Sequence, residues 1–130
     1  MKTIFLSLIL VFVFGSVSMT NAQTQSTVKV RAGKKARDSK SSITVKFVSV
    51  SEDSRCPEGA TCVWAGNAKV QVQVSMNGSE PKTFEANTNL GIRGNSYDNY
   101  AIYLTELSPA PKSKKKGDYT ATFSITRLSR

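Results

Sequence analysis

Ala68-Lys69-Val70-Gln71-Val72-Gln73-Val74-Ser75-Met76-Asn77-Gly78 decides the fold class. Ala68, Val70, Val72, Val74 and Met76 fall on one face of an extended chain. Lys69, Gln71, Gln73 and Ser75 fall on the other. A period of two in a run rich in β-branched residues is the signature of a half-buried strand. Asn77-Gly78 ends it with the pair favoured in type I′ turns, because both residues tolerate positive φ. The chain should return with Phe84 and Ala86 inward and Thr83 and Glu85 toward solvent.

The same reading extends in both directions. Upstream, Ile43, Val45 and Phe47 alternate with Thr44 and Lys46. The phase flips at Phe47-Val48, so Val48 and Val50 continue on the other parity, a shift that a β-bulge accommodates. Val28 and Val30 mark a short first strand, and the basic stretch 33–42 (GKKARDSKSS) reads as a loop. Downstream, 87–99 (NTNLGIRGNSYDN) reads as a loop with Leu90 and Ile92 tucked beneath it. A further strand over 100–107 carries Ile102 and Leu104 on one face, and Pro109 and Pro111 break it. A basic turn at 112–117 leads into a last strand with Tyr119, Ala121, Phe123 and Ile125 alternating with Thr and Ser. About six strands with Gly/Pro/Asn loops and no helical period predict an all-β fold. The expected form is a small antiparallel β-sandwich, Ig-like in general architecture, with a small closed barrel as the alternative.

The first 22 residues have the three parts of a secretory signal. Lys2 precedes the apolar run IFLSLILVFVFG, and SVSMTNA follows it, with Thr20 and Ala22 at the −3 and −1 positions of a cleavage site. The apolar core is shorter than the roughly 20 residues that span a bilayer. Removal leaves one domain over 23–130, secreted or periplasmic, with no cysteine near the cleavage site to accept lipid. In an oxidising compartment Cys56 and Cys62 should close a short disulfide loop, since redox pairs are usually spaced C-x-x-C.

Composition excludes much chemistry. The 130 residues hold no His, 2 Cys, and 18 Lys+Arg against 9 Asp+Glu, for a net charge of +9. Without His there is no Ser-His-Asp or Cys-His nucleophile and no His-ligated metal. No Gly-rich phosphate loop is present, and the carboxylates show no spacing that selects a catalytic pair. Glu52, Asp53 and Glu58 match no calcium-loop spacing. The chain reads as non-enzymatic, with no cofactor or metal; a hydrolase built on carboxylates alone is the one chemistry its residues leave open.

Two surfaces are candidates for binding. The first is the segment Asp53-Ser54-Arg55-Cys56-Pro57 followed by Thr61-Cys62-Val63-Trp64-Ala65-Gly66-Asn67-Ala68. It resembles a group of small, mostly uncharacterised exported bacterial proteins that share D-S-R-C-P…C-x-W-A-G-x-A. The resemblance extends more loosely to Tyr100, Leu104, Leu107, Pro109, Pro111 and Tyr119. It implies a secreted or periplasmic all-β domain with a disulfide, and no activity to carry over. Structurally, Arg55 would donate to Asp53 or loop carbonyls, Trp64 would cover one end of the core, and Gly66 would admit a close backbone approach. Functionally, the pinned loop would display Arg55, Glu58 and Trp64 to a partner.

The second surface is basic: Lys34, Lys35, Arg37 and Lys40 in one loop, and Lys112, Lys114, Lys115 and Lys116 in another. If both loops lie at the same end, they form one patch able to attract an anionic polysaccharide or an acidic protein. The plain alternative is that lysine-rich turns keep a β protein soluble. Nucleic acid is not expected, because no aromatics interleave with the lysines as a stacking platform requires. Tyr97, Tyr100 and Tyr103 read as rim residues of the core, or as a groove lining. The predicted product is a monomeric exported binding module for an anionic polymer or envelope component. The alternative is a small inhibitor acting through the disulfide loop on a secreted enzyme.

Overall fold

A computed structural model describes residues 15–16, 24–57, 59–109 and 118–128. The bulk of the signal-like segment with its cleavage site, Glu58, Pro111, and Lys112, Lys114, Lys115 and Lys116 lie outside the described residues. Eight strands form: β1 (Gln25–Arg31), β2 (Lys35–Arg37), β3 (Ile43–Asp53), β4 (Ala68–Met76), β5 (Lys82–Asn87), β6 (Gly94–Tyr97), β7 (Tyr100–Ser108) and β8 (Thr120–Arg127). The two beyond the expected six are β2 and β6, short strands inside stretches that read as loops. Neither carries the run of alternating apolar residues that marks a strand in sequence. Each is held as a strand by its neighbour, β2 by β3 and β6 by β7.

All pairings are antiparallel, in two four-stranded sheets ordered β1-β8-β7-β6 and β2-β3-β4-β5. The architecture is a sandwich, not a closed barrel. Its core joins Val30, Ile102, Leu104, Leu107, Ala121, Phe123 and Ile125 of the first sheet to Ile43, Val45, Phe47, Val70, Val72, Val74, Phe84 and Ala86 of the second. The chain passes from one sheet to the other at both long edges, after β1 and after β5. The first corner is bonded by the Ala32 amide to the Tyr119 carbonyl and the Gly33 amide to the Phe47 carbonyl, at 2.9 and 2.8 Å. Along the second edge, at the end away from its crossing, Lys82 Nζ donates to the Ser96 carbonyl at 2.9 Å and the Tyr97 hydroxyl to the Glu80 carbonyl at 3.1 Å.

The β4–β5 connection resolves a conflict hidden in the sequence. Asn77 and Gly78 have φ of 39° and 77°, and the Ser79 amide donates to the Met76 carbonyl at 2.7 Å, as a type I′ turn requires. Continued in register, that turn would set Val72 against Thr83 and drive Phe84 outward. Instead Val74 pairs with Lys82 and Val72 with Phe84, so the returning arm carries one extra residue. Pro81 sits in that gap, where its missing N–H costs no ladder bond.

β3 contains the expected bulge at Phe47/Ser49 and a second between Val50 and Glu52. Val50 turns inward as expected, but Val48 does not. It is the extra residue of the bulge and stands exposed.

Candidate functional site

Two ends of the sandwich matter. At one, β3, β5 and β7 finish and β4 and β8 begin; at the other lie the 38–42 turn and the Asn77-Gly78 turn.

The cysteine segment crowns the first end, and its frame is polar. Asp53 closes β3 facing inward, opposite Ala68. Arg55 Nε donates to Asp53 Oδ1 and Nη2 to Oδ2, both at 2.9 Å, a forked pair. The same guanidinium donates to the carbonyls of Leu107 at 2.6 Å and Pro109 at 2.8 Å. The Arg55 amide at 3.2 Å and the Tyr119 hydroxyl at 2.9 Å add two further donors to the Asp53 carboxylate. Burial works to raise the Asp53 pKa, but the hydrogen bonds from Arg55 and Tyr119 outweigh it and hold the carboxyl below its ordinary value. Arg55 thus joins the two sheets, and its donors face protein acceptors instead of standing on display.

Beyond Arg55 the chain makes its loop. Cys56 and Cys62 are disulfide-bonded, with their Cα atoms 5.9 Å apart. The Cys56 amide reaches the Ala65 carbonyl at 3.1 Å and the Ser54 amide the Asn67 carbonyl at 2.8 Å. Gly66 permits this closure: its φ is +70°, and a Cβ there would collide with the Ser54 carbonyl. Trp64 does not cover the core as expected. It is 82% exposed, and Val63 is 92% exposed: the loop is closed by its disulfide and backbone bonds and buries neither side chain.

Leu90 and Ile92 are likewise not tucked beneath their loop, being 63% and 71% exposed. Buried Asn67 takes the place expected of them. Its Oδ1 accepts from the Asn89 and Leu90 amides at 3.0 and 3.1 Å, and its Nδ2 donates to Asn87 Oδ1 at 2.8 Å. Asn89 Nδ2 reaches back to the Gly66 carbonyl at 3.2 Å. A polar hub therefore fastens the 88–93 loop to the cysteine loop and leaves the apolar side chains of both in solvent. No apolar or charge pattern marks Asn67 in the sequence.

The basic residues divide. Lys34 and Lys35 lie at the start of β2, on the outer side of the second sheet, and Lys35 pairs directly with Lys46 of β3. Lys46 lies outside the two basic loops that the sequence marks, although its outward parity in β3 is legible there. With Gly33, Thr44, Gln73 and Ser75 these three lysines line an open concavity of about 590 Å³ that contains no carboxylate. Arg37 is turned toward Asn77, its Nη2 donating to Oδ1 at 3.3 Å. Lys40 sits on the 38–42 turn at the far end, next to buried Asp38, which accepts hydrogen bonds from Ser26 and Ser41. Ser108 and Thr120, which bracket the connection carrying the other four lysines, pair at the opposite end from Lys40. The first basic stretch leaves β1 beside Tyr119 and Thr120 and runs along β2 to Lys40 at the far end, and the basic cluster found among the described residues is the one on the sheet face.

Tyr97 and Tyr100 are half-buried against the core and Tyr103 is exposed, so the three do not line one groove. Among the described residues no group of three His, Cys, Asp or Glu is arranged to hold a metal ion, and Asp53 is saturated by its donors. No family model, curated protein or solved structure matches the chain. The fold and these surfaces are what bear on function.

Proposed function

We propose that this protein is an exported, non-enzymatic β-sandwich module that binds an anionic polymer, an acidic polysaccharide in particular, on the outer face of the β2-β3-β4 sheet. The observation that carries the reading is the Lys35–Lys46 pair. Like charges set directly opposite on adjacent strands cost a sheet up to about 1 kcal/mol, and the lining of this concavity offers no acid to relieve them. A bound anion would. Thr44, Gln73 and Ser75 add neutral hydrogen-bonding groups suited to sugar hydroxyls, and an open sheet face suits an extended chain. Export rests on the signal pattern of residues 1–22, and the disulfide is compatible with an oxidising compartment. The reading is tested by retention on immobilised alginate and dextran sulfate. Retention that falls as salt rises, with none on neutral dextran, is the expected result; equal retention on neutral dextran, or none on any matrix, refutes it.

A second reading, an inhibitor that inserts the disulfide loop into a secreted enzyme, is favoured by the exposure of Val63 and Trp64 on a pinned segment. It would have to act without the Arg55 guanidinium, which is spent on the frame.

A further inference from the structure

We infer that the two fastened loop tips, bearing Val63, Trp64, Leu90 and Ile92, dock onto an anionic phospholipid surface. At 92%, 82%, 63% and 71% exposure these are the four most exposed large apolar side chains among the described residues. Display on this scale is characteristic of an interaction site. It is not a product of slack. The Cys56–Cys62 disulfide closes one loop, and Asn67 and Asn89 bond the other to it, so the side chains are held outward by a built frame.

The form and charge of this end select the occupant. Side chains this exposed project from the tips, which suits a deformable layer that closes around them. Indole is an interfacial ring, with an apolar body and an N–H for the headgroup level. The loops add exposed Arg93, and Glu58 is their only acid in sequence. The whole chain carries +9. Modest apolar insertion combined with basic attraction is the two-part arrangement that gives stable binding to anionic lipid.

Trp64 is the single tryptophan, so its emission reports directly on the tip. The oxidised protein is titrated with vesicles containing roughly one-third phosphatidylglycerol in phosphatidylcholine, and with phosphatidylcholine alone. The expected result is a blue shift, protection from iodide quenching and co-sedimentation, all confined to the anionic vesicles. Leu90→Ser, which removes an exposed side chain and keeps the reporter, should weaken vesicle binding about tenfold with an unchanged near-ultraviolet circular dichroism spectrum. Emission unaltered by either vesicle overturns the inference and leaves the tip to a protein partner. So does equal binding to both vesicles, or Leu90→Ser binding as the parent does.

Discussion

The Arg55 guanidinium donates to the Leu107 carbonyl at 2.6 Å, tying the end of β3 in one sheet to the end of β7 in the other. Because the same group forks onto Asp53, the contact is one strut of a frame that also includes Pro109 and Tyr119. The frame stabilises the end of the sandwich that carries the cysteine loop.

Arg55→Ala should therefore destabilise the fold by about 2–4 kcal/mol, because it strands a largely buried carboxylate and two carbonyls. Arg55→Lys should recover little of this, since an ammonium cannot fork onto Asp53 while reaching both carbonyls. Urea denaturation midpoints measure both; a loss under about 0.5 kcal/mol for the alanine variant would contradict the frame.

Acid should expose the same frame. The hydrogen bonds that hold Asp53 and Asp38 below their ordinary carboxyl value overcome the opposing effect of burial. A carboxyl depressed in the folded state binds fewer protons there than in the unfolded chain. Its stabilising contribution is complete above the unfolded value, about 3.9, and disappears as pH falls through the lower folded value. Stability should fall below about pH 4, and Asp53→Asn should be weaker at neutral pH yet lose less on acidification. Parallel pH profiles of the two proteins would refute the assignment.

Gly66 and Gly78 offer a controlled pair. Both have positive φ, +70° and +77°, but only Gly66 meets backbone where a Cβ would go. Gly78→Ala should cost about 1–2 kcal/mol for conformation alone. Gly66→Ala should cost that and a further 1–3 kcal/mol or so for the collision with Ser54. Thermal unfolding of the two variants gives the difference; equal losses would mean that the approach to Ser54 is relaxed at little cost.

Reduction of Cys56–Cys62 removes a constraint spanning a sequence separation of 6. So short a loop restricts the unfolded chain only modestly, and the loss should be about 2 kcal/mol. Far-ultraviolet circular dichroism should stay that of the oxidised fold, because both cysteines lie outside the strands. Collapse of the β signal on reduction would show that the sandwich depends on the bridge.

What was legible follows from where the information resides. Val70, Val72 and Val74 declare a buried face by period alone, and Asn77-Gly78 declares its turn chemistry. The bulge at Phe47 was legible because it breaks that period; Val48 was misplaced because a bulge ejects one residue and alternation does not say which. Strands β2 and β6 were hidden because pairing defines them, not their own composition. Hydrophobicity places Leu90 and Ile92 beneath their loop and, on the structural reading of the cysteine segment, Trp64 over the core; all three stand exposed. The 88–93 loop is fastened instead by Asn67, whose bonds to Asn87, Asn89 and Leu90 are tertiary and leave no local pattern. Lys46 was visible as an outward strand residue, but only the register shows that it faces Lys35.

That pairing is also where the functional account is most directly exposed to test. Lys35→Glu with Lys46→Glu reverses the charge of the sheet face, and Lys40→Glu reverses a lysine at the 38–42 turn as a control. Binding to alginate at low salt should be lost in the double variant, with its salt dependence, and survive in the Lys40 variant. Undiminished binding by the double variant, or equal loss in both, would contradict recognition at the β2-β3-β4 face.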